Sequence, residues 1–234
     1  MYIWVILATF IVAIASFNLS VRSDIRQIYV APQAEATISK LALQHEAAED
    51  YVRYQAKLNG AYTAGEVDPA SLSSYLPEGF TIDEGAAIDE GHNYSFVYCL
   101  DTGTPNLSTK SSTCSGDSYR PYVITYGCIP QRWKSLSDGR PRTELISAMY
   151  NVFGFGGHIG YTIPLEATVS EQNIFGSSMG INVRDVKWEA IPQYIISGNE
   201  GEHSFYNVCG DNKACDYCLA YISVLPAKIA SSSD

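Results

Sequence analysis

The first 21 residues, MYIWVILATFIVAIASFNLSV, contain no charged side chain. About twenty such residues suffice to cross a hydrocarbon core that is roughly 30 Å thick. A fully buried core helix and a cleaved secretory signal are the alternatives, and AIA at 13–15 resembles a signal-peptidase site. The run lacks the basic residues that begin a signal peptide, and it continues past that site. We therefore expect an uncleaved transmembrane anchor over residues 1–21.

The orientation of this anchor depends on two opposing observations. Arg22 and Arg26 follow the apolar run and no basic residue precedes it, which by the positive-inside rule predicts a cytoplasmic C-terminal side. The chain also has an even number of cysteines, which in an extracytoplasmic protein indicates up to three disulfides with fifteen possible pairings. We give the cysteines more weight, because long domains translocate despite flanking charges. The expected topology is single-pass, with the C-terminal domain on the extracytoplasmic side of the membrane.

The cysteines fall into two groups of three along the chain. We expect all six to lie in one small fold and to form disulfides, with the pairing open: Cys99, Cys114, Cys128, Cys209, Cys215 and Cys218.

Residues 33–58 contain neither Gly nor Pro and have the apolar spacing of one helical face. The residues expected on this face are Ile38, Leu41, His45, Ala48, Val52 and Leu58. Asn59 and Gly60 then predict the helix end. We assign residues 22–60 to a stalk helix that follows the anchor.

A cluster of turn-forming residues comes next. Asp68 is placed as an N-cap and Pro69 at the first position of a short helix. We expect Leu72, Leu76 and Phe80 to pack against the preceding helix.

From residue 93 onward, short runs rich in Tyr, Val and Ile predict β-strands. The strand candidates are YSFVYCL (94–100), YVITYGCI (122–129), IGYTIPL (159–165), GINVRDVKW (180–188), QYIISG (193–198) and CLAYISVL (218–225), the last closing the sheet. A polar insertion between the first two strands contains Cys114 and predicts a hairpin loop closed by that cysteine. The segment 142–154 predicts a second helix. The fold class is α+β, with an antiparallel-sheet domain over residues 61–234 that is cross-linked by disulfides and ends in a Cys-rich segment.

A net charge of −10, with no run of Lys or Arg, argues against nucleic-acid binding. The motif CDYC at 215–218 has redox spacing, but a thioredoxin-like site needs that pair at a helix N-terminus after a strand. Here the second cysteine begins a strand-like run, which favours structural disulfides over a thiol oxidoreductase. A zinc site is the other alternative, and in an oxidising compartment disulfides are favoured over it. Its ligands would be His203, Cys209, Cys215 and Cys218.

Two further motifs are weaker indications of chemistry. GFGGHIG at 154–160 lacks the Lys and the preceding strand of a phosphate loop, so it predicts a helix end and a turn. The acidic segment 82–92 lacks the ligand spacing of a calcium loop and predicts a solvated loop, with docking of a basic partner as a hypothesis. We assign no catalytic, cofactor or metal residue and expect a non-enzymatic protein.

Several segments resemble type IVb pilins and pilus-assembly proteins, and among them the PilM family of inner-membrane components of conjugative thin-pilus systems. These segments are the apolar N-terminus with its amphipathic helix, YVRYQ and NGAYT at 51–63, SLSSYLPEGF at 71–80, RPYVITYGCIPQRWK at 120–134 and WEAIPQYIISG at 188–198. The resemblance implies a structural role in pilus assembly or pilin transport, for a single-pass protein of the bacterial inner membrane whose C-terminal domain lies in the periplasm. It implies contact with membrane lipid through the anchor and with pilin subunits or other assembly proteins. Self-association is left open.

The chain departs from the pilin pattern at its start and at its end. It lacks a basic leader with a prepilin cleavage site and a Glu five residues into the apolar run, and it has a Cys-rich C-terminus after Gly198. These differences favour a component retained in the membrane. A minor pilin or adhesin within the fibre is the alternative.

Overall fold

The computed structural model describes nine segments of the chain. They are residues 30–82, 92–101, 110–115, 118–136, 141–153, 159–163, 180–181, 204–209 and 217–226. The predicted anchor at 1–21, the strand at 193–198 and the acidic residues at 83–91 lie outside them. The described architecture is α+β with antiparallel sheets, which confirms the predicted class. Within it, no helix combines the length and the apolar character that crossing a bilayer requires.

The longest element is helix α1, Ala31–Asn59. Pro32 lies in its first turn, where the missing N–H costs nothing. Gly60 ends it in the left-handed conformation, with φ of 75°, which glycine adopts without strain. The predicted helix and its end are confirmed.

One face of α1 is buried against the rest of the fold. Five of the six predicted face residues are buried: Ile38, Leu41, His45, Ala48 and Val52. The prediction was wrong for Leu58, which is 63% exposed. Ala56 is the last buried residue of the face, so the helix extends beyond the core by its final turn.

The turn cluster forms short elements that pack against the end of α1. Strands β1, Tyr62–Thr63, and β2, Gly65–Val67, lead into the short helix α2, Pro69–Leu72. The Asp68 carboxylate accepts a hydrogen bond of 3.0 Å from the Ala70 N–H, which confirms the predicted cap. Leu72 is fully buried, and Leu76 packs against the same cluster.

The sheet is built around one hairpin. Strand β3, Asn93–Asp101, pairs antiparallel with β6, Tyr119–Cys128, so that Tyr98 lies opposite Tyr122. The polar insertion between them contains two short strands, β4, Lys110–Ser111, and β5, Thr113–Cys114. This confirms the predicted hairpin.

Three further strands extend the sheet on the β6 side of the hairpin. They are β7, Ile159–Ile163, β8, Gly180–Ile181, and β9, Cys218–Val224. The order in the seven-stranded sheet is β2-β3-β6-β9-β7-β8, with β4 also paired to β3. The last strand therefore lies between β6 and β7 and does not close an edge, contrary to the prediction. Its position is set by pairing with β6, in which Thr125 lies opposite Tyr221.

Strands β3 and β6 are buried on both faces because helices lie on each side. Helix α1 and helix α3, Thr143–Phe153, pack together. The helical spacing at 142–154 predicts a common face of Leu145, Met149 and Val152; Leu145 and Met149 are buried, whereas Val152 is 37% exposed. Helix α4, Phe205–Val208, places Phe205 edge-on to the Tyr126 ring. The predicted stalk, 22–60, and the predicted domain, 61–234, are separate segments of sequence, but α1 and the sheet both contribute residues to each of two core clusters.

Candidate functional site

Two disulfides whose cysteines both lie in the described part of the chain cross-link the sheet. Cys99 in β3 is bonded to Cys114 in β5, which closes the insertion of the hairpin. Cys209, just after α4, is bonded to Cys218 at the start of β9. Cys128 is also disulfide-bonded. The expectation that these cysteines form disulfides within one fold agrees with these bonds.

The bond between Cys209 and Cys218 bears on the two alternative chemistries. Cys218 begins a strand and is bonded to Cys209, so it does not occupy the helix N-terminus that activates a redox cysteine. The same bond removes two of the four ligands of the zinc alternative. Among the residues that the structure describes, no group of three or more His, Cys, Asp or Glu is placed to hold a metal ion. His203 and Cys215 lie outside those residues.

A buried polar cluster lies where α1 crosses the sheet, and the sequence did not predict it. We define the polar cluster as His45, Glu49, Ser95, Thr125, Tyr221 and Ser223. His45 is 1% exposed, and its Nδ1 lies 3.0 Å from the Thr125 Oγ1. Thr125 is in turn 2.9 Å from the Ser95 Oγ. The His45 ring stacks on Tyr221, with centroids 4.1 Å apart.

The other ring nitrogen of His45 faces two oxygen atoms. Nε2 lies 2.9 Å from the Ser223 Oγ and 3.3 Å from the Glu49 Oε1. A carboxylate oxygen only accepts, so Nε2 must bear a proton in order to face it. The second Glu49 oxygen accepts from Arg53 at 2.8 Å. Glu49 is thus held between the two basic groups one turn away on each side.

The contacts set the charge state of Glu49. Burial raises its pKa, but the hydrogen bonds from His45 and Ser223, together with the positive charges of His45 and Arg53, lower it by more, so that the pKa lies below its ordinary value. The pKa of Tyr221 is raised by burial and by the charges of Glu49 and Glu46. At neutral pH the cluster therefore holds an ionised carboxylate and a neutral phenol.

The proximity of a serine, a histidine and a carboxylate raises the question of nucleophilic chemistry. In a catalytic triad the acid contacts the histidine nitrogen opposite the one that faces the serine. Here Glu49 and Ser223 share Nε2, and the hydroxyl of Ser223 donates to Glu49. One face of the imidazole is covered by Tyr221, and almost none of His45 reaches solvent. The geometry is that of an attachment between helix and sheet.

A groove of about 300 Å³ lies between the end of α1 and the edge strand β2. Its apolar lining includes Val52, Ala56 and Val97, and its rim includes Gln55. A Cβ built on Gly65 would meet nothing within 4 Å, so this part of the edge strand is bare.

Beside the groove, Tyr54 and Leu58 are 50% and 63% exposed, and Tyr54 lies against Tyr75. These are the largest apolar side chains that the described part of α1 presents to solvent. No family model, curated protein or solved structure matches this chain.

Proposed function

We propose that the protein is a non-enzymatic component of a type IVb pilus assembly machinery, as in conjugative thin pili, held in the inner membrane with its domain in the periplasm. The observation that supports this best is that α1 packs against a disulfide-bonded antiparallel sheet. Helix α1 lies C-terminal to the apolar run at 1–21 in the sequence, and it packs directly on strands that disulfides cross-link. An apolar anchor, a helix that follows it and a disulfide-bonded sheet are the parts expected of an anchored binding domain in an oxidising compartment.

The chemistry of the buried groups is consistent with a structural role. Cysteines 99, 114, 209 and 218 are all in disulfides, and the polar cluster is directed into the fold. What remains for a partner is the surface. Of the exposed apolar side chains in the described part of the chain, Tyr54 and Leu58 lie on the last turns of α1, the helix that also lines the groove beside β2, whereas Leu136, Val152 and Val224 lie on other segments. We place contact with pilin subunits or other assembly proteins at the last turns of α1 and this groove.

In vivo photo-crosslinking tests the partner. A photoreactive amino acid in place of Leu58 is expected to form an adduct with a pilin or an assembly protein. The matched control is Ala36, which is exposed on the same helix but lies near its start. Equal adducts at both positions, or none at Leu58 in pilus-producing cells, would contradict the proposed surface.

Fractionation tests the location, and deletion tests the role. We expect the intact chain, starting at Met1, in the inner-membrane fraction with its thiols resistant to alkylation, and loss of thin pili when its gene is deleted. Recovery of a cytosolic protein with six reactive thiols would refute the proposal. Recovery of a processed chain within sheared pili would instead establish the minor pilin.

A further inference from the structure

The dipeptide at the end of helix α1 has a reactivity of its own. Asn59 is the last residue of the helix, and Gly60 follows it in the left-handed conformation. Of the asparagines in the chain, Asn59 alone precedes a glycine. An asparagine side chain reacts with the amide nitrogen of the next residue by closing a five-membered ring, and a side chain on that next residue hinders the closure. Asn59 is therefore the asparagine whose sequence context hinders this reaction least.

The surroundings of Gly60 leave room for the ring. A Cβ built on Gly60 would meet no atom within 4 Å. The four residues at this end of the chain segment, 57–60, are all exposed, and Leu58 is 63% exposed. Water and hydroxide therefore reach the Asn59 side chain and the amide that follows it without displacement of any part of the core.

The end of the helix must open before the ring closes. In an α-helix each N–H points back along the axis toward the carbonyl oxygen four residues earlier, which directs the amide of Gly60 away from the Asn59 side chain. Ala56 is the last buried residue of α1, so the turn that follows it extends beyond the core. Such frayed ends open at a free-energy cost near zero. The reactive conformation is therefore accessible in the folded protein.

We propose that Asn59 is a self-modification site, at which the chain converts a side-chain amide into a carboxylate. The Gly60 nitrogen loses its proton and attacks Cγ of Asn59, so that a new C–N bond forms and the side-chain nitrogen leaves as ammonia. Water then opens the resulting succinimide at one of its two carbonyl carbons. Opening at Cγ gives aspartate, and opening at the backbone carbonyl carbon gives isoaspartate. The overall reaction consumes one water and releases one ammonia, and it requires no oxidant or reductant.

Both products place a negative charge in the last turn of α1. The C-terminus of a helix is the negative end of its dipole, so a carboxylate is unfavourable there and a neutral amide is not. Isoaspartate also lengthens the main chain by one methylene group, and only Gly60 and Ala61 separate α1 from β1. Asn59 lines the groove beside β2, so the conversion changes the charge of that groove. The chemistry does not depend on whether a pilus protein binds there.

Asn93 is the control within the same molecule. It begins β3 and pairs with Gly127 of β6, and its side chain lies directly against that glycine. Its carbonyl oxygen accepts a hydrogen bond of 3.0 Å from the Gln44 amide, and the following residue, Tyr94, is 5% exposed. Ring closure at Asn93 requires the central hairpin to open, which costs far more free energy than the fraying of a helix end.

Ageing of the folded protein at neutral and mildly alkaline pH tests the proposal. Trypsin cleaves after Lys57 and next after Lys110, so after reduction of the disulfides one peptide carries both Asn59 and Asn93. Mass spectrometry should show that Asn59 is converted more than about tenfold faster than Asn93. The rate should be proportional to the hydroxide concentration, and electron-based fragmentation should find isoaspartate among the products. Asn59→Gln should abolish the conversion at this position, because a glutamine would have to close a six-membered ring.

A comparison with the unfolded chain separates the effect of the fold from that of the sequence. In urea, Asn59 should be converted at most about tenfold faster than in the folded protein, because the end of the helix opens readily. An unchanged Asn59 after ageing, conversion no faster than at Asn93, or an acceleration in urea of more than about tenfold would each overturn the proposal.

Discussion

The two halves of α1 are attached to the same fold in different ways. In the N-terminal half, Ile38 and Leu41 belong to an apolar core with Trp133 and Leu145. The Trp133 indole also donates to the Thr37 hydroxyl at 3.0 Å. In the C-terminal half, mostly alanines face the sheet, and His45 provides the polar contacts at the boundary. Large apolar side chains contribute most of the free energy of attachment, whereas a buried polar cluster contributes directional hydrogen bonds that are costly to leave unpaired.

The largest expected effect is in the apolar half. Leu41→Ala should lower the free energy of unfolding by about 2–5 kcal/mol, because Leu41 is 1% exposed and its truncation leaves a cavity. Urea denaturation followed by circular dichroism measures the change. Leu58→Ala is the matched control on the same helix, and its effect should stay within about 0.5 kcal/mol. Equal effects of the two variants would contradict the assignment of the buried face.

The C-terminal half of α1 should depend more than the N-terminal half on the disulfide between Cys99 and Cys114, because both cysteines lie in the same core cluster as that half. Cys99→Ala/Cys114→Ala opens a loop with a sequence separation of 15, and the chain-entropy model gives a loss of about 3 kcal/mol. The same cluster contains Val52 and Ala56, so hydrogen exchange there should accelerate more than it does near Leu41. A uniform acceleration along α1 would show instead that the helix is released as one unit.

Removal of one hydroxyl from the polar cluster should lower the free energy of unfolding by more than the small size of a hydroxyl suggests. Thr125→Val keeps the shape but leaves the His45 Nδ1 and the Ser95 hydroxyl without their shared partner, at an expected cost of about 1–3 kcal/mol. Thr37→Val is the control in the other half: it removes the acceptor of one part-buried hydrogen bond, and the loss should be about 0.5–1.5 kcal/mol. Urea midpoints give both values, and a larger loss for Thr37→Val would reverse the comparison.

The sequence predicted those features that depend on neighbouring residues. Three predictions depend on local sequence, and all three are confirmed: the helix over residues 33–58, which contain no Gly or Pro, its end at Gly60, and the cap at Asp68. The apolar spacing placed His45 on the buried face, but its partners are 80 and 178 residues away in the chain. Spacing within one helix does not contain that information.

The order of the strands could not be predicted from the sequence for the same reason. CLAYISVL reads as an apolar strand wherever it lies in the sheet, and only its pairing with β6 places it directly beside the hairpin, between β6 and β7. Leu58 was assigned to the core because the helical period continues to the last turn. The sheet does not continue with it, and Ala56 is the last contact.

The smallest effect expected in the C-terminal half is at the cap of α2, which packs against the end of α1. Asp68→Ala removes the acceptor of the Ala70 N–H and should cost about 1 kcal/mol. Asp68→Asn keeps an acceptor oxygen at the same place, so it should lose only a small part of that free energy.

If the C-terminal half of α1 is as weakly held as its alanines indicate, Asp68→Ala should also accelerate hydrogen exchange at Ala56 while leaving Leu41 unchanged, since Leu72 of α2 lies in the same cluster as Ala56. Exchange that changes equally at both residues would mean that α1 is attached cooperatively along its length, and that the difference between its halves concerns composition and not stability.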